Sequence, residues 1–285
     1  MVFSENMNNQ LRLLRDLIHV HTGLFFRDYP ELEFIATRLQ PRVDETGCSS
    51  LSEYCRLLNE GGNATANEWL HVITALSRRK SSFLRHRKLA DVLATTIIPR
   101  LLSSGDRTKL RIWSAGCSTG EEPLTIAMAL DEAGLFDRLD IEINASDANF
   151  VGIETARRGV YDESRVKDLP TAVRLKYFKQ TNEGWQVIPE LHKRIQWTLT
   201  NLIVERDIAE LASSDVIFCH NVFIYFSKPA ICQTVRFFES QMPRGGYLST
   251  DNGEYYTELI SHLGILQRQQ IPGASIWMKS ARAID

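Results

Sequence analysis

The stretch Lys109-Leu-Arg-Ile-Trp-Ser-Ala-Gly-Cys-Ser-Thr-Gly-Glu-Glu-Pro123 leaves this chain little choice of architecture. Leu110, Ile112 and Ala115 flank Trp113 in a short apolar run that reads as a buried strand. Gly116 and Gly120 bracket a tight turn, and Pro123 stands in the first turn of a helix, where its missing N–H leaves no bond unmade. Ile126, Ala127 and Leu130 then follow at helical spacing. Strand, glycine-bracketed turn and helix, in that order, place a ligand site at the carboxyl edge of a parallel sheet.

The turn is not built for a bare phosphate. It lacks the Lys-Ser/Thr pair of a P-loop and the G-x-G-x-x-G of a dinucleotide fold. Glu121 and Glu122 also occupy the helix start whose free N–H groups a phosphate would need, and two carboxylates repel it. A ligand with an adenosine part and a cationic end fits better; S-adenosylmethionine, with its ammonium and sulfonium, is one. The structural alternative is that both glutamates only complement the helix dipole, at roughly 0.3–1 kcal/mol each.

Composition sets the class around that stretch. At 285 residues the chain suits one large or two modest domains, with 44% hydrophobic residues for a core and 24% charged. Cysteines 48, 55, 117, 219 and 232 are odd in number and never spaced C-x-x-C, which favours reduced thiols in the cytoplasm and gives no metal-ligand pattern. No stretch approaches a membrane span, and Asn8, Asn9, Arg12 and Arg15 interrupt any signal-peptide pattern. A net charge of −2 gives no general pull towards nucleic acid.

Residues 8 to about 76 read as helices only. Leu11, Leu14, Leu17 and Ile18 form one stripe closed by Gly23, and a second helix from about Glu31 to Val43 buries Leu32, Ile35 and Leu39. Ser50-x-x-Glu53 and Thr65-x-x-Glu68 have capping-box form and predict helices through Leu58 and Leu76. Arg78, Arg79, Lys80, Arg85, Arg87 and Lys88 make a basic run read as a linker or helix face, as a nucleic-acid patch that lacks interleaved aromatics except Phe83, or as a surface steering acidic groups. A helix spans about Leu89 to Ile98, and a second strand, Leu139 to Ala145, delivers Ser146 and Asp147 at its end. Asp147 stands 27 residues beyond Gly120, where a strand-end carboxylate can accept both ribose hydroxyls; the alternative is an N-cap. A helix to Arg158, a polar stretch with a strand near Trp185 to Ile188, and a strand from Ile195 to Leu199 follow. A strand from Val216 to Phe218 ends in Asn221 and an aromatic turn at Tyr225-Phe226. A helix from Lys228 to Gln241, a strand opened by Gly245-Gly-Tyr-Leu248 and a final hairpin complete the chain.

Trp113-Ser-Ala-Gly-Cys-Ser-Thr-Gly-Glu-Glu-Pro123 resembles the cofactor loop of the chemotaxis-receptor methyltransferases, the CheR family, and further matches cover about residues 20 to 280. Ser81-Ser-Phe-Leu-Arg85 is similar to the family's Thr-x-Phe-Phe-Arg segment, and Asp147-Ala-Asn149 to its Asp-x-Asp. Asn201-Leu202 and Cys219-His-Asn-Val-Phe-Ile-Tyr-Phe226 match its Asn-Leu pair and its Cys-Arg-Asn-Val-x-Ile-Tyr-Phe. The resemblance implies a small all-helical N-terminal domain, residues 1–80, and an α/β Rossmann-like class I methyltransferase domain, residues 81–285, with a small β insert and an antiparallel C-terminal hairpin. It implies methyl transfer from S-adenosylmethionine to glutamate carboxylates of a methyl-accepting chemoreceptor. The protein would be a cytoplasmic monomer, peripheral to its membrane receptors and not inserted.

By the same resemblance Arg85 and Tyr225 are catalytic, while Arg79, Ser81, Arg85, Gly116, Glu121, Glu122, Asp147, Asn201, Leu202, Asn221 and Val222 hold the cofactor. Departures from the pattern stand at Arg79 (family Asn), Ser81 (Thr), Asn149 (Asp), His220 (Arg) and Asp251-Asn-Gly-Glu254 (Gly-His-Ser-Glu). They leave open a different protein or small-acid acceptor, or a silent cofactor-binding adaptor.

Overall fold

A computed structural model describes residues 5–28, 30–77, 81–103, 109–271 and 274–280. The chain opens with α1 (Glu5–Thr22), α2 (Glu31–Glu45), α3 (Leu51–Asn59) and α4 (Asn63–Leu76). Their apolar stripes meet in a core of their own, where Leu11, Leu14, Ile18, Ile35, Leu39 and Val72 are fully buried. The Ser50 cap forms, its Oγ accepting the Glu53 N–H at 3.2 Å, with the Glu53 carboxylate turned to the Ser49 N–H. The box expected at Thr65 does not. The α4 helix starts three residues earlier, with Gly62 in place of Thr65 before its first turn; Thr65 Oγ1 donates to the Gly61 carbonyl, and Glu68 takes Tyr54 Oη–H at 2.7 Å and the Arg42 guanidinium. Burying a carboxylate demands such partners, and that need outweighs a terminal cap.

The helix expected over Leu89–Ile98 is longer. It runs as Arg87–Val92, a π-helical turn Leu93–Ile97, and Ile98–Ser103.

The strands are β1 (Lys109–Ala115), β2 (Asp140–Asp147), β3 (Val160–Tyr161), β4 (Phe178–Thr181), β5 (Gly184–Val187), β6 (Ile195–Leu199), β7 (Val216–Cys219), β8 (Tyr247–Thr250), β9 (Gln267–Gln269) and β10 (Ser275–Met278). The main sheet has the order β6-β2-β1-β7-β8-β10-β9, parallel through β8 and antiparallel in the last two strands. The expected insert is the antiparallel sheet β3-β5-β4. Leu110 and Ile112 of β1 pack with Leu124 and Leu130 of the helix Glu121–Glu132, while Trp113 and Ala115 join Ile217 and Phe238 in a second cluster. Apolar burial on both faces is what makes β1 a central parallel strand. Strand order reverses at β1, between β2 and β7, so a crevice opens at their carboxyl ends.

The helical segment reaches that crevice. Phe25 N–H donates to the Tyr225 carbonyl at 2.7 Å, Leu24 bridges to Phe226, and Asn201 Nδ2 donates to the His21 carbonyl at 2.8 Å. Gly23 makes the approach possible: its φ is +73°, and a Cβ there would meet Ile203 Cδ1 at 2.8 Å. Among the described residues, no helix is long and apolar enough to cross a membrane.

Candidate cofactor and active site

A partly open cavity, about 1450 Å³ when the solvent space at its mouth is included, lies at the ends of β1, β2 and β7. The glycine turn forms one wall. Gly116 has φ +82°, and a Cβ on it would stand 2.3 Å from Val222 Cγ2, so only glycine lets the loop lie against the turn after β7. Gly116 and Cys117 both donate to the Ser146 carbonyl, at 2.8 and 2.9 Å, which pins the turn to β2. The positive-φ non-glycine residues among those described are Leu84, Ser118 and Asn221: Ser118 and Asn221 line the cavity and Leu84 precedes Arg85. Such backbone costs of order 1–3 kcal/mol per residue and persists where surrounding structure over-determines it.

Asp147 sits at the end of β2 and lines the cavity. Its Oδ2 accepts the Ser118 N–H at 2.8 Å and its Oδ1 the Asn149 N–H at 2.7 Å. Burial pushes its carboxyl above the usual range, and those backbone donors oppose the shift. Each oxygen keeps a lone pair, so the carboxylate can hold the loop and still accept hydroxyls.

The two glutamates part company. Glu122 lines the cavity, with Ser114 Oγ donating to Oε1 at 2.7 Å and His220 Nδ1 beside Oε2 at 2.8 Å. Burial pushes its carboxyl up, but His220, His86 and Ser114 outweigh it and hold it below the usual range. Glu121 is not brought to the cavity: it is fully buried on the other side of the helix start, accepting Thr119 Oγ1 at 2.6 Å and ion-paired with Arg165. Successive helix positions point about 100° apart, so both carboxylates cannot face one ligand.

Ser81, Arg85, Asn201, Leu202, Asn221, Val222 and Tyr225 all line the cavity. Arg85 Nη1 donates to Asn221 Oδ1 at 3.0 Å, and Asp251 takes the Asn221 N–H, at 2.8 and 3.0 Å. Asn201 spends its amide on the His21 carbonyl and the Ile203 N–H, so the adjoining backbone and Leu202 are what it leaves to the cavity. Arg79 lies outside the described residues. The sequence reading missed Thr200, His86 and the segment Thr22, Leu24, Phe25 and Phe26, all in the wall. Thr200 follows the strand-end Leu199 and His86 adjoins Arg85, both visible signals; nothing local announces that residues 22–26 return to the site.

Three buried polar atoms in this wall have no protein partner: Thr200 Oγ1, Asn149 Nδ2 and His86 Nε2. Asn149 stands two residues beyond Asp147. Thr200 N–H donates to the Asp147 carbonyl at 3.1 Å. Unpartnered polar atoms around a carboxylate, in a cleft with an apolar lining, fit a nucleoside.

The profile of the CheR methyltransferase S-adenosylmethionine-binding domain matches residues 79–267, and that of the CheR methyltransferase all-alpha domain matches residues 9–77. The chain is similar to chemotaxis protein methyltransferase 2 of Vibrio cholerae, 30% identical over 87% of this chain and 85% of that protein. It is similar to the chemotaxis protein methyltransferase of Borreliella burgdorferi, 30% identical over 88% of this chain and 91% of that protein. The probable biofilm formation methyltransferase WspC of Pseudomonas aeruginosa is 30% identical over 78% of this chain and 51% of its own length. Fold and site thus define a class I methyltransferase with S-adenosylmethionine as methyl donor. Within that class, the chain belongs to the CheR methyltransferase family.

Proposed function

We propose that this enzyme methylates glutamate carboxylates on the cytoplasmic part of a chemoreceptor, with the cavity at β1, β2 and β7 as its single reaction site. The convergence of Glu122, Asp147, Asn221 and Tyr225 on one cleft supports this reading most directly. In it Asp147 accepts the ribose hydroxyls, and Thr200, Asn201 and Leu202 meet the adenine. Glu122 faces the ammonium, while Ser81 and Arg85 meet the carboxylate end. Asn221 and Val222 hold the methionine part, and Tyr225 walls the transfer site. Arg79 stays in the set on resemblance alone. The division into a helical unit, residues 1–80, and a methyltransferase unit, residues 81–285, belongs to the same reading, as does a monomeric state.

Bound S-adenosylmethionine supplies a methyl group on a sulfonium. An acceptor carboxylate is already ionised at neutral pH, so the protein need not remove a proton. His220, held by Glu122 through Nδ1 and Ser249 through Nε2 at 3.1 Å, is not called on as a base. What the side chains contribute is placement, which can be worth up to roughly 7–11 kcal/mol of barrier. Arg85 orients a carboxylate at the mouth, and Phe25 and Phe26 add apolar lining to the cavity. The test is incubation with methyl-labelled cofactor and receptor-containing membranes. Alkali-labile label on a receptor is expected. Label only on another protein would move the acceptor class, a reading given weight by the changes at His220 and Asp251.

A further inference from the structure

His220 stands where the family pattern has Arg, and it does not stand alone. The ring of His86 lies stacked on it, centroids 4.4 Å apart and planes inclined by 21°. Both line the cavity, and His86 Nε2 is buried with no protein partner. His86, Glu122 and His220 bring donor atoms within 4.8 Å of one another, which invites a metal ion. The ring geometry argues against it. An ion ~2.0–2.1 Å from an imidazole nitrogen must lie near that ring's plane, and two nearly parallel stacked rings do not share such a point.

A stack of two imidazoles in a cofactor cleft is instead a place where positive charge can be added. The groups facing it are Glu122 from the helix Glu121–Glu132, Asp251 beyond β8, and Arg85, joined to the stack through Asn221. The neutral state is internally consistent: His220 Nδ1–H donates to Glu122 and Nε2 accepts from Ser249 Oγ. Burial, and next the neighbouring His220, push His86 below the ordinary histidine range.

We propose that the His86–His220 stack discriminates between the two forms of the cofactor, and does so only when protonated: acidification weakens S-adenosylmethionine relative to S-adenosylhomocysteine. The inference rests on the cofactor placement above, which sets the methionine part beside Arg85 and Asn221, the chain neighbours of the two rings. The two ligands differ by one methyl group and one positive charge. At a separation of ~7 Å and an effective dielectric between protein surface and water, one added proton disfavours the sulfonium by about fivefold or more. Effects of acid on folding or on loop closure weaken both ligands in step and cancel in the ratio.

The experiment is calorimetric titration of the full chain with each ligand at pH 8, 7, 6 and 5, reading the ratio of the two dissociation constants. In the wild type the ratio should rise at least about fivefold in favour of the thioether towards pH 5. With His86→Gln and His220→Gln together it should be flat. His220→Arg, with its permanent charge, should give a high ratio at every pH and serves alone if the double variant does not fold. A flat wild-type ratio, or the same slope in the double variant, overturns the proposal. Absence of S-adenosylhomocysteine binding at pH 8 would instead remove the cofactor reading and this inference with it, and is distinguishable from tight but pH-independent discrimination.

Discussion

Asp147→Ala tests the centre of the site, because the structure gives that carboxylate two jobs. It accepts backbone N–H groups of Ser118 and Asn149 and faces the cavity. Hydrogen bonds to a charged group are worth about 1.5–3 kcal/mol each, and removing the acceptor leaves two donors short. The buried carboxylate carries a desolvation cost of its own, which its raised pKa records, so the net loss is about 2–3 kcal/mol. For a chain of this size that lowers Tm by roughly 3–5 °C. Loss of the ribose contacts should weaken S-adenosylhomocysteine at least about tenfold, or about 1.4 kcal/mol. Scanning calorimetry and titration at a temperature well below the mutant's Tm separate the two effects. Affinity within twofold of wild type would refute the ribose assignment; an unchanged Tm would refute the tether.

Arg85→Ala and Tyr225→Phe should each lower the methyl-transfer rate by about tenfold or more with Tm held within about 2 °C, measured by label incorporation; wild-type rates in Arg85→Ala would leave that residue a linker cation. Arg165→Ala strands the fully buried Glu121 and should cost about 3–5 kcal/mol in urea unfolding, while cofactor affinity of the folded fraction stays within about threefold. Gly116→Ala should abolish measurable S-adenosylhomocysteine binding, since the new Cβ meets Val222 and the residue must hold φ +82°; retained binding would show the loop free to move away.

Much of the architecture is legible in the chain because parallel strands are written as apolar runs, and their turns as glycines. β1, β2, β6 and β7 fall where the runs do, and Asp147 and Asn221 stand at strand ends where short polar residues must. Two of the misses share one cause. Thr65-x-x-Glu68 reads as a cap until Arg42 and Tyr54, brought from other helices, claim the glutamate. Glu121 and Glu122 are equivalent in sequence, and only the position of Arg165 and His220 around the helix tells them apart. The helix Glu254–Leu263 went unread because the stretch before it departs from the family pattern and its own apolar face is short. Local patterns report local structure; partners of buried charge are settled by the tertiary fold.

The same distinction bears on what the departures mean. Asp251, where the family has Gly, is not an isolated change: its carboxylate takes the backbone N–H of Asn221, the residue held at φ +58° beside the cleft. Asn221 in turn accepts from Arg85, whose neighbour His86 stacks on His220. Five residues from three separate stretches of chain are therefore one hydrogen-bonded and stacked unit, in which His220 and Asp251 depart from the family pattern while Arg85 and Asn221 keep it. A substitution at any one of them is read through the others, so restoring Arg at 220 alone puts a fixed cation against His86 while Asp251 keeps its hold on Asn221. Gly116, Glu122 and Asp147 keep the family's residues, as do Arg85 and Asn221, while His220 and Asp251 do not. In the proposed placement, exchanges at His220 and Asp251 lie at the methionine end of the cavity and alter the field where the methyl group would be handed over.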